Sequence, residues 1–91
     1  MDGIRAHVFV YGDVIDVGFR FWTVREARRL GLRGWVKNLD DCVEAVFEGE
    51  KEKVEKMVSK CHEGPLISNV ERVEVKYTLT SGEFSDFSIL K

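Results

Sequence analysis

The chain is poor in the residues that build covalent cross-links or metal-ligand sets. It contains 2 cysteines and 1 proline in 91 residues. The two cysteines, Cys42 and Cys61, provide neither a disulfide framework nor a set of zinc ligands. We therefore expect no required disulfide and no zinc site, and we expect Cys61 to be a small residue of the core.

The sequence also lacks a long apolar run and an excess of positive charge. No stretch is long and apolar enough to span a membrane, and the opening residues Met1 to Ile4 do not resemble a signal peptide. With 14 basic and 16 acidic residues the net charge is −2, which gives no general attraction for nucleic acid or anionic lipid. We therefore expect a cytoplasmic monomer that binds neither nucleic acid nor membrane.

Apolar residues are abundant enough for one core. The chain is 44% hydrophobic and 33% charged, which is typical of a compact globular protein and not of a disordered one. A length of 91 residues predicts a single domain over residues 1–91.

The first third of the chain changes from the period of a strand to that of a helix. Residues 4–11 alternate between apolar and other side chains and predict a β-strand, in which His7 is a half-exposed residue without a catalytic role. A helix follows, which Gly31 ends, and the side chains that we expect to face inward are Phe21, Val24, Ala27 and Leu30.

The remainder predicts a hairpin, a second helix and two more strands. Residues 33–39 and 42–48 form the hairpin, with a short turn at Asp40-Asp41 and an end at Gly49. Helical spacing predicts a buried stripe that consists of Val54, Met57, Val58 and Cys61. After Gly64-Pro65, residues 70–77 predict a strand and residues 84–90 a short terminal strand.

This order of elements is the βαββαβ pattern of a ferredoxin-like α+β sandwich, an antiparallel sheet with two helices on one face. In this topology the end of the second strand and the turn after the first strand lie at the same edge of the sheet. Asn38 is thereby brought close to residues 12–20. RNA binding on such a sheet would need a basic surface and paired aromatic side chains in a strand motif, which the chain lacks.

Two glycines bound the turn between the first strand and the first helix. Gly12 and Gly18 can adopt backbone angles that side chains resist, and Arg20 follows in the first helical turn, where N–H groups lack helical partners. Such a turn with an arginine suits a phosphate. Taken alone, this stretch is explained more simply by a tight turn with a surface arginine, and Asn38 by a strand-end residue that hydrogen-bonds its own turn.

Two motifs together resemble the acylphosphatase family, and the resemblance covers nearly the whole chain. The first motif is Tyr11-Gly12-x-Val14-x-x-Val17-Gly18-Phe19-Arg20. The second is Gly31-Leu32-x-Gly34-Trp35-Val36-Lys37-Asn38, which continues through Val43-Glu44-Ala45-Val46-x-Glu48-Gly49.

The resemblance implies hydrolysis of an acyl phosphate to a carboxylate and inorganic phosphate without a metal ion. Arg20 matches the arginine that grips the phosphoryl oxygens, and Asn38 matches the asparagine that orients the attacking water. The substrate-binding N–H groups implied by the resemblance belong to Ile15, Asp16, Val17, Gly18, Phe19 and Arg20. The ligand would be a small acyl phosphate or a phosphate anion.

The chain departs from the family pattern at the loop and at the hairpin. Ile15 and Asp16 stand where the family has glutamine and a second glycine, and the hairpin near Cys42 is one residue shorter. Aspartate tolerates positive φ better than most residues, so Asp16 can preserve the turn. A second hypothesis is therefore a domain on the same scaffold that binds an anion or a partner without catalysis.

Overall fold

Seven elements of secondary structure make up residues 3–90, the part of the chain that a computed structural model describes. They are β1 (Gly3–Asp13), α1 (Phe19–Arg29), β2 (Arg33–Asn38), β3 (Cys42–Glu50), α2 (Lys51–Cys61), β4 (Asn69–Leu79) and β5 (Phe87–Ile89). This confirms the predicted order. The opening stretch without signal-peptide character lies partly outside the described residues, which begin at Gly3.

The strands form one sheet in the order β4-β1-β3-β2-β5, with β1 and β3 inside it as predicted. β1 pairs antiparallel with β3 and β4, and β2 pairs antiparallel with β3. The four strands of the βαββαβ pattern are antiparallel as predicted, and the terminal strand makes the sheet mixed, because β5 runs parallel to β2. β4 ends at the end of the sheet where β2 begins. The segment that follows β4 starts from this end, so the strand that it adds beside β2 runs in the same direction as β2.

The core lies between one face of the sheet and the two helices. In β1 alternate side chains are buried, namely Ala6, Val8 and Val10. The stripe predicted for α2 is confirmed, since all four of its residues are buried. Each helix has 11 residues, and neither helix of residues 3–90 has the length and apolar character needed to cross a membrane.

The buried face of α1 agrees in part with the predicted one, since Ala27 is buried and Val24 and Leu30 pack against the core. The helix buries Phe19, Thr23, Glu26 and Ala27, whereas Phe21, predicted to face inward, is 74% exposed. Residues two apart on a helix lie about 200° apart around its axis, so burial of Phe19 directs Phe21 to solvent. Glu26 is buried because its Oε1 lies 3.4 Å from Nζ of Lys60 on α2, a contact that apolar periodicity does not reveal.

Two strand ends also differ from the prediction. β3 continues through Gly49, predicted as its end, because Gly49 remains paired with Ile4 of β1. β5 is shorter than predicted, with 3 residues. The segment before it is held by Glu48, whose Oε1 and Oε2 accept hydrogen bonds from Thr80 Oγ1 at 2.7 Å and Ser81 Oγ at 2.9 Å.

Candidate active site

The loop from β1 to α1 begins at a bend that requires glycine. The pairing of β1 with β4 shifts register between Tyr11 and Gly12, and Gly12 has a φ of 128°. A Cβ at Gly12 would collide with the backbone carbonyl of Asn69. The bend releases residues 14–18 from the sheet and directs them towards the start of α1.

Two left-handed residues give the loop its shape. Asp16 has a φ of 62°, and Gly18 has a φ of 79° and a ψ of 14°. Aspartate is one of the few residues with a side chain that tolerates this region, and Asp16 adopts the positive φ that the prediction requires of it. Turns with left-handed residues direct successive N–H groups to one concave side, which favours anion binding.

The backbone N–H groups of this segment lack acceptors. Within residues 3–90, no N–H of residues 14–21 donates a hydrogen bond to the backbone outside its own helix or to a side chain. The first backbone bond of the helix runs from Trp22 N to Gly18 O at 3.0 Å, and no side chain caps α1. The free N–H groups of the first helical turn also lie at the positive end of the helix dipole.

Apolar side chains hold the loop against the core. Val14 and Phe19 are buried, and Ile15 and Val17 pack against the same core. A Cβ on Gly64 would lie 2.7 Å from the ring of Phe19, so the segment after α2 packs directly against Phe19 at the end of the loop. Ile15 replaces a polar residue of the family pattern at a position where the side chain packs inward.

Arg20 is half-buried in the first turn of α1 and lines the same cavity as the loop. The other arginines of α1 are paired: Arg25 and Arg29 with Glu26, and Arg28 with Asp86. Among the described residues, the guanidinium of Arg20 has no such partner. A half-buried, unpaired cation beside free N–H groups favours an anion site over a surface arginine.

Asn38 closes the cavity from the other side. It is the last residue of β2 and pairs with Val43 of β3. Its Oδ1 is buried and has no hydrogen-bond partner in residues 3–90. The adjacent turn is closed by the backbone instead, from Leu39 N to Cys42 O at 2.8 Å. The simpler explanation for Asn38, a carbonyl that hydrogen-bonds its own turn, therefore does not hold.

These groups meet in one cavity of about 250 Å³. It is lined by Val14, Asp16, Gly18, Phe19, Arg20, Phe21 and Asn38. The structure thus brings five of the predicted site residues together, while the side chains of Ile15 and Val17 face the core. The sequence analysis did not predict that Val14 and Phe21 line the cavity. The spacing of Phe21 from the buried Phe19 is the signal that places Phe21 on the outer face of α1.

His7, Cys42 and Cys61 do not line this cavity. His7 is half-exposed in β1, as predicted, and its Nε2 lies 2.7 Å from Oε2 of Glu44. Cys42 and Cys61 are both buried free thiols. Burial, with Asp41 nearby, raises the pKa of Cys42, and burial raises the pKa of Cys61 to about 12. Within residues 3–90, no three histidine, cysteine or acidic side chains are grouped to hold a metal ion.

Comparison with known proteins shows the family of this chain. A family model described as acylphosphatase matches residues 6–89. An acylphosphatase of Roseiflexus sp. is 50% identical, with 99% of this chain and 98% of that protein covered. One of Thermococcus kodakarensis is 51% identical over 90% of this chain and 91% of that protein.

A solved structure supports the same family assignment. The crystal structure of acylphosphatase from Bacillus subtilis superposes with a TM-score of 0.93 at 31% identity, covering 97% of this chain and 99% of that one. Family match, identity over nearly the full length and structural likeness are consistent, and the chain belongs to the acylphosphatase family.

Proposed function

We propose that this protein hydrolyses acyl phosphates to a carboxylate and inorganic phosphate in the cavity between the β1–α1 loop and Asn38. Its family supports this activity. The observation that carries the proposal is that Asn38, a residue that lines the same cavity as Arg20 and the loop, has a buried Oδ1 without a hydrogen-bond partner in residues 3–90. The cavity thus has donors for a phosphate on one side and an acceptor for a water on the other.

The loop and Arg20 bind the phosphoryl group. The N–H groups of residues 15–20 donate to its oxygens, and the planar fork of the Arg20 guanidinium donates two parallel hydrogen bonds. Because these donors are held in place by the packed side chains of the loop, they need little reorganisation as charge develops in the transition state.

Asn38 positions the nucleophile. Its Oδ1 accepts a hydrogen bond from a water, and the water oxygen forms a bond to phosphorus as the bond from phosphorus to the acyl oxygen breaks. The acyl oxygen leaves as a carboxylate, and the water's proton passes to a phosphoryl oxygen. A carboxylate is a good leaving group, so positioning and charge stabilisation suffice and no strong general base is needed.

This mechanism assigns the cationic function to Arg20 and requires neither a metal ion nor a cofactor. The cavity is built from one chain, which supports action as a monomer. The two buried free thiols are consistent with a reducing compartment such as the cytoplasm.

The deciding experiment is an assay of acetyl phosphate hydrolysis by the purified protein in the presence of EDTA. We expect release of phosphate well above the uncatalysed rate. Phosphate binding without turnover would contradict this proposal and support the non-catalytic hypothesis, which the family relationship does not favour.

A further inference from the structure

Phe21 connects the candidate active site to a second, larger depression. Its ring is 74% exposed although it follows Arg20 directly. It lines both the cavity of about 250 Å³ and a neighbouring groove of about 530 Å³. The other residues of this groove, called here the acyl groove, are Val24, Arg25, Arg28, Ser88 and Ile89.

The acyl groove runs away from the phosphate site between α1 and β5. Phe21, Val24 and Arg28 are three and four residues apart and therefore share one face of α1. From Phe21 to Arg28 the helix rises about 10 Å. On the other wall, Ile89 pairs with Val36, which lies two residues before Asn38 on β2. Both walls thus begin beside the two proposed catalytic residues.

We propose that this groove holds the acyl group of the substrate, and that the substrates are acyl phosphates with an aromatic or branched apolar acyl group. The inference rests on the proposed hydrolysis. Since the scissile bond joins the phosphoryl group to the acyl group, a phosphate bound by Arg20 leaves the acyl group at the mouth of the cavity. Phe21 lies at that mouth, and an aromatic acyl group can pack on its exposed ring.

The two cations that line the groove each contact a carboxylate of the protein. Arg28 donates from Nε to the carbonyl of Phe87 at 3.1 Å, and its Nη2 lies 3.3 Å from Asp86. Arg25 Nε lies 3.3 Å from Glu26. Each cation thus has a carboxylate partner, which Arg25 shares with Arg29 and Lys60, and the methylene groups of both arginines extend the apolar walls.

A competing apolar surface lies on the segment between α2 and β4. Leu66 is 100% exposed and Ile67 is 71% exposed. Neither residue lines the cavity or the acyl groove. This surface therefore lacks the continuity with the phosphate site that Phe21 provides, and it serves as the alternative location in the test.

The first test compares kcat/KM for benzoyl phosphate and acetyl phosphate. For the wild type we expect a preference for benzoyl phosphate of about tenfold or more, since packing of a ring on an aromatic side chain gives effects of this size. Phe21→Ala should lower this ratio about tenfold, and Phe21→Leu should give an intermediate ratio. Leu79→Ala, which removes an exposed apolar side chain at the far end of β4, should keep the wild-type ratio.

The second test locates the acyl group without turnover. Benzoylphosphonate, which cannot be hydrolysed, should show NMR contacts between its ring protons and the methyl groups of Val24 and Ile89. Contacts with Leu66 and Ile67 instead would overturn the acyl groove, as would a ratio that Phe21→Ala leaves unchanged. Preference for 4-carboxybenzoyl over benzoyl phosphate would overturn the apolar class.

The two proposals fail in different ways. If the wild type hydrolyses neither acetyl nor benzoyl phosphate, the proposed function is wrong, and the NMR contacts still decide whether the groove binds an aromatic acyl group. If both compounds are hydrolysed at equal efficiency, hydrolysis stands and the substrate class is wrong.

Discussion

Arg20 and Asn38 contribute opposite kinds of hydrogen bond to the proposed site. The guanidinium of Arg20 can only donate, which suits phosphoryl oxygens, whereas Oδ1 of Asn38 can only accept, which suits the protons of a water. Substitutions at the two residues should therefore affect different kinetic parameters.

Replacing Arg20 with lysine tests the need for two parallel donors. Arg20→Lys keeps the positive charge but loses the planar fork, so we expect kcat/KM for acetyl phosphate to fall by about 100-fold or more. The melting temperature should change little, because Arg20 has no protein partner among the described residues. Arg29→Lys, on the same helix but outside the cavity, is the matched control, and wild-type turnover by Arg20→Lys would refute the assignment.

Replacing Asn38 with alanine tests the positioning of water. We expect kcat to fall by about 100-fold, because a misplaced nucleophile slows the reaction by this order, while competitive inhibition by inorganic phosphate stays nearly unchanged. Asn69→Ala changes the other asparagine of the chain and should have no effect. Loss of phosphate affinity together with kcat would make Asn38 a binding residue instead.

Asp16 brings a negative charge to the cavity that binds an anion. At roughly 8 Å and an effective dielectric of about 40, Coulomb's law gives about 2 kcal/mol of repulsion against a dianion. Asp16→Gly should therefore tighten phosphate binding by about tenfold or more, measured by inhibition at low salt, and added salt should reduce the difference. Asp16→Asn removes the charge but keeps tolerance of positive φ. Equal phosphate affinities in the wild type, Asp16→Gly and Asp16→Asn would show that the charge of Asp16 does not affect phosphate binding.

Among the elements, the sheet end opposite the active site depends on Glu48. The side chain of Glu48 is fully buried, and its Oε2 lies 2.6 Å from Nε of Arg5 on β1. Thr80 and Ser81, in the segment that follows β4, donate to the same carboxylate. One ionised group thus ties β3, β1 and the chain leading to β5 together.

This network predicts acid sensitivity. Burial alone would raise the pKa of Glu48, but hydrogen bonds from Thr80, Arg5 and Ser81 outweigh it and lower the pKa from 4.5 to about 2. The corresponding stabilisation, about 3 kcal/mol, is present above pH 4.5 and lost as the pH falls through 2. Urea unfolding between pH 6 and 2 should show this decline.

Two variants identify the responsible group in those measurements. Glu48→Gln should flatten the pH dependence, whereas Glu71→Gln, which changes an exposed glutamate of β4, should keep the wild-type profile. An unchanged slope in Glu48→Gln would assign the acid sensitivity to other carboxylates.

For the molecule as a whole, stability should come from one core without covalent cross-links. Cys42 at the start of β3 and Cys61 at the end of α2 are both buried free thiols. A reducing agent should therefore leave the melting temperature unchanged, and both thiols should react with a thiol reagent only after unfolding. A fall of several degrees on reduction would indicate a disulfide that contributes a few kcal/mol.

Local pattern predicted most of the fold, and failed where a partner from another element decided the outcome. The stripe of α2 was predicted correctly because its four buried residues are apolar and evenly spaced. The face of α1 was predicted only in part, since it includes Glu26, whose buried carboxylate is paired with Lys60 of α2 as well as with Arg25 and Arg29. The direction of β5 depended on where β4 ends, which no local pattern contains.

The sequence by itself determined the order of the elements, the glycine-bounded loop, the place of Arg20 in the first helical turn and the family. Each depends on residue types within a few positions of one another, which set backbone angles and hydrophobic periodicity. Only the tertiary structure decided that Oδ1 of Asn38 is left without a partner and that Phe21 is turned outward to join two depressions. Burial and hydrogen-bond satisfaction are properties of the packed chain, because they depend on residues far apart in sequence that meet when the sheet and helices close on one core.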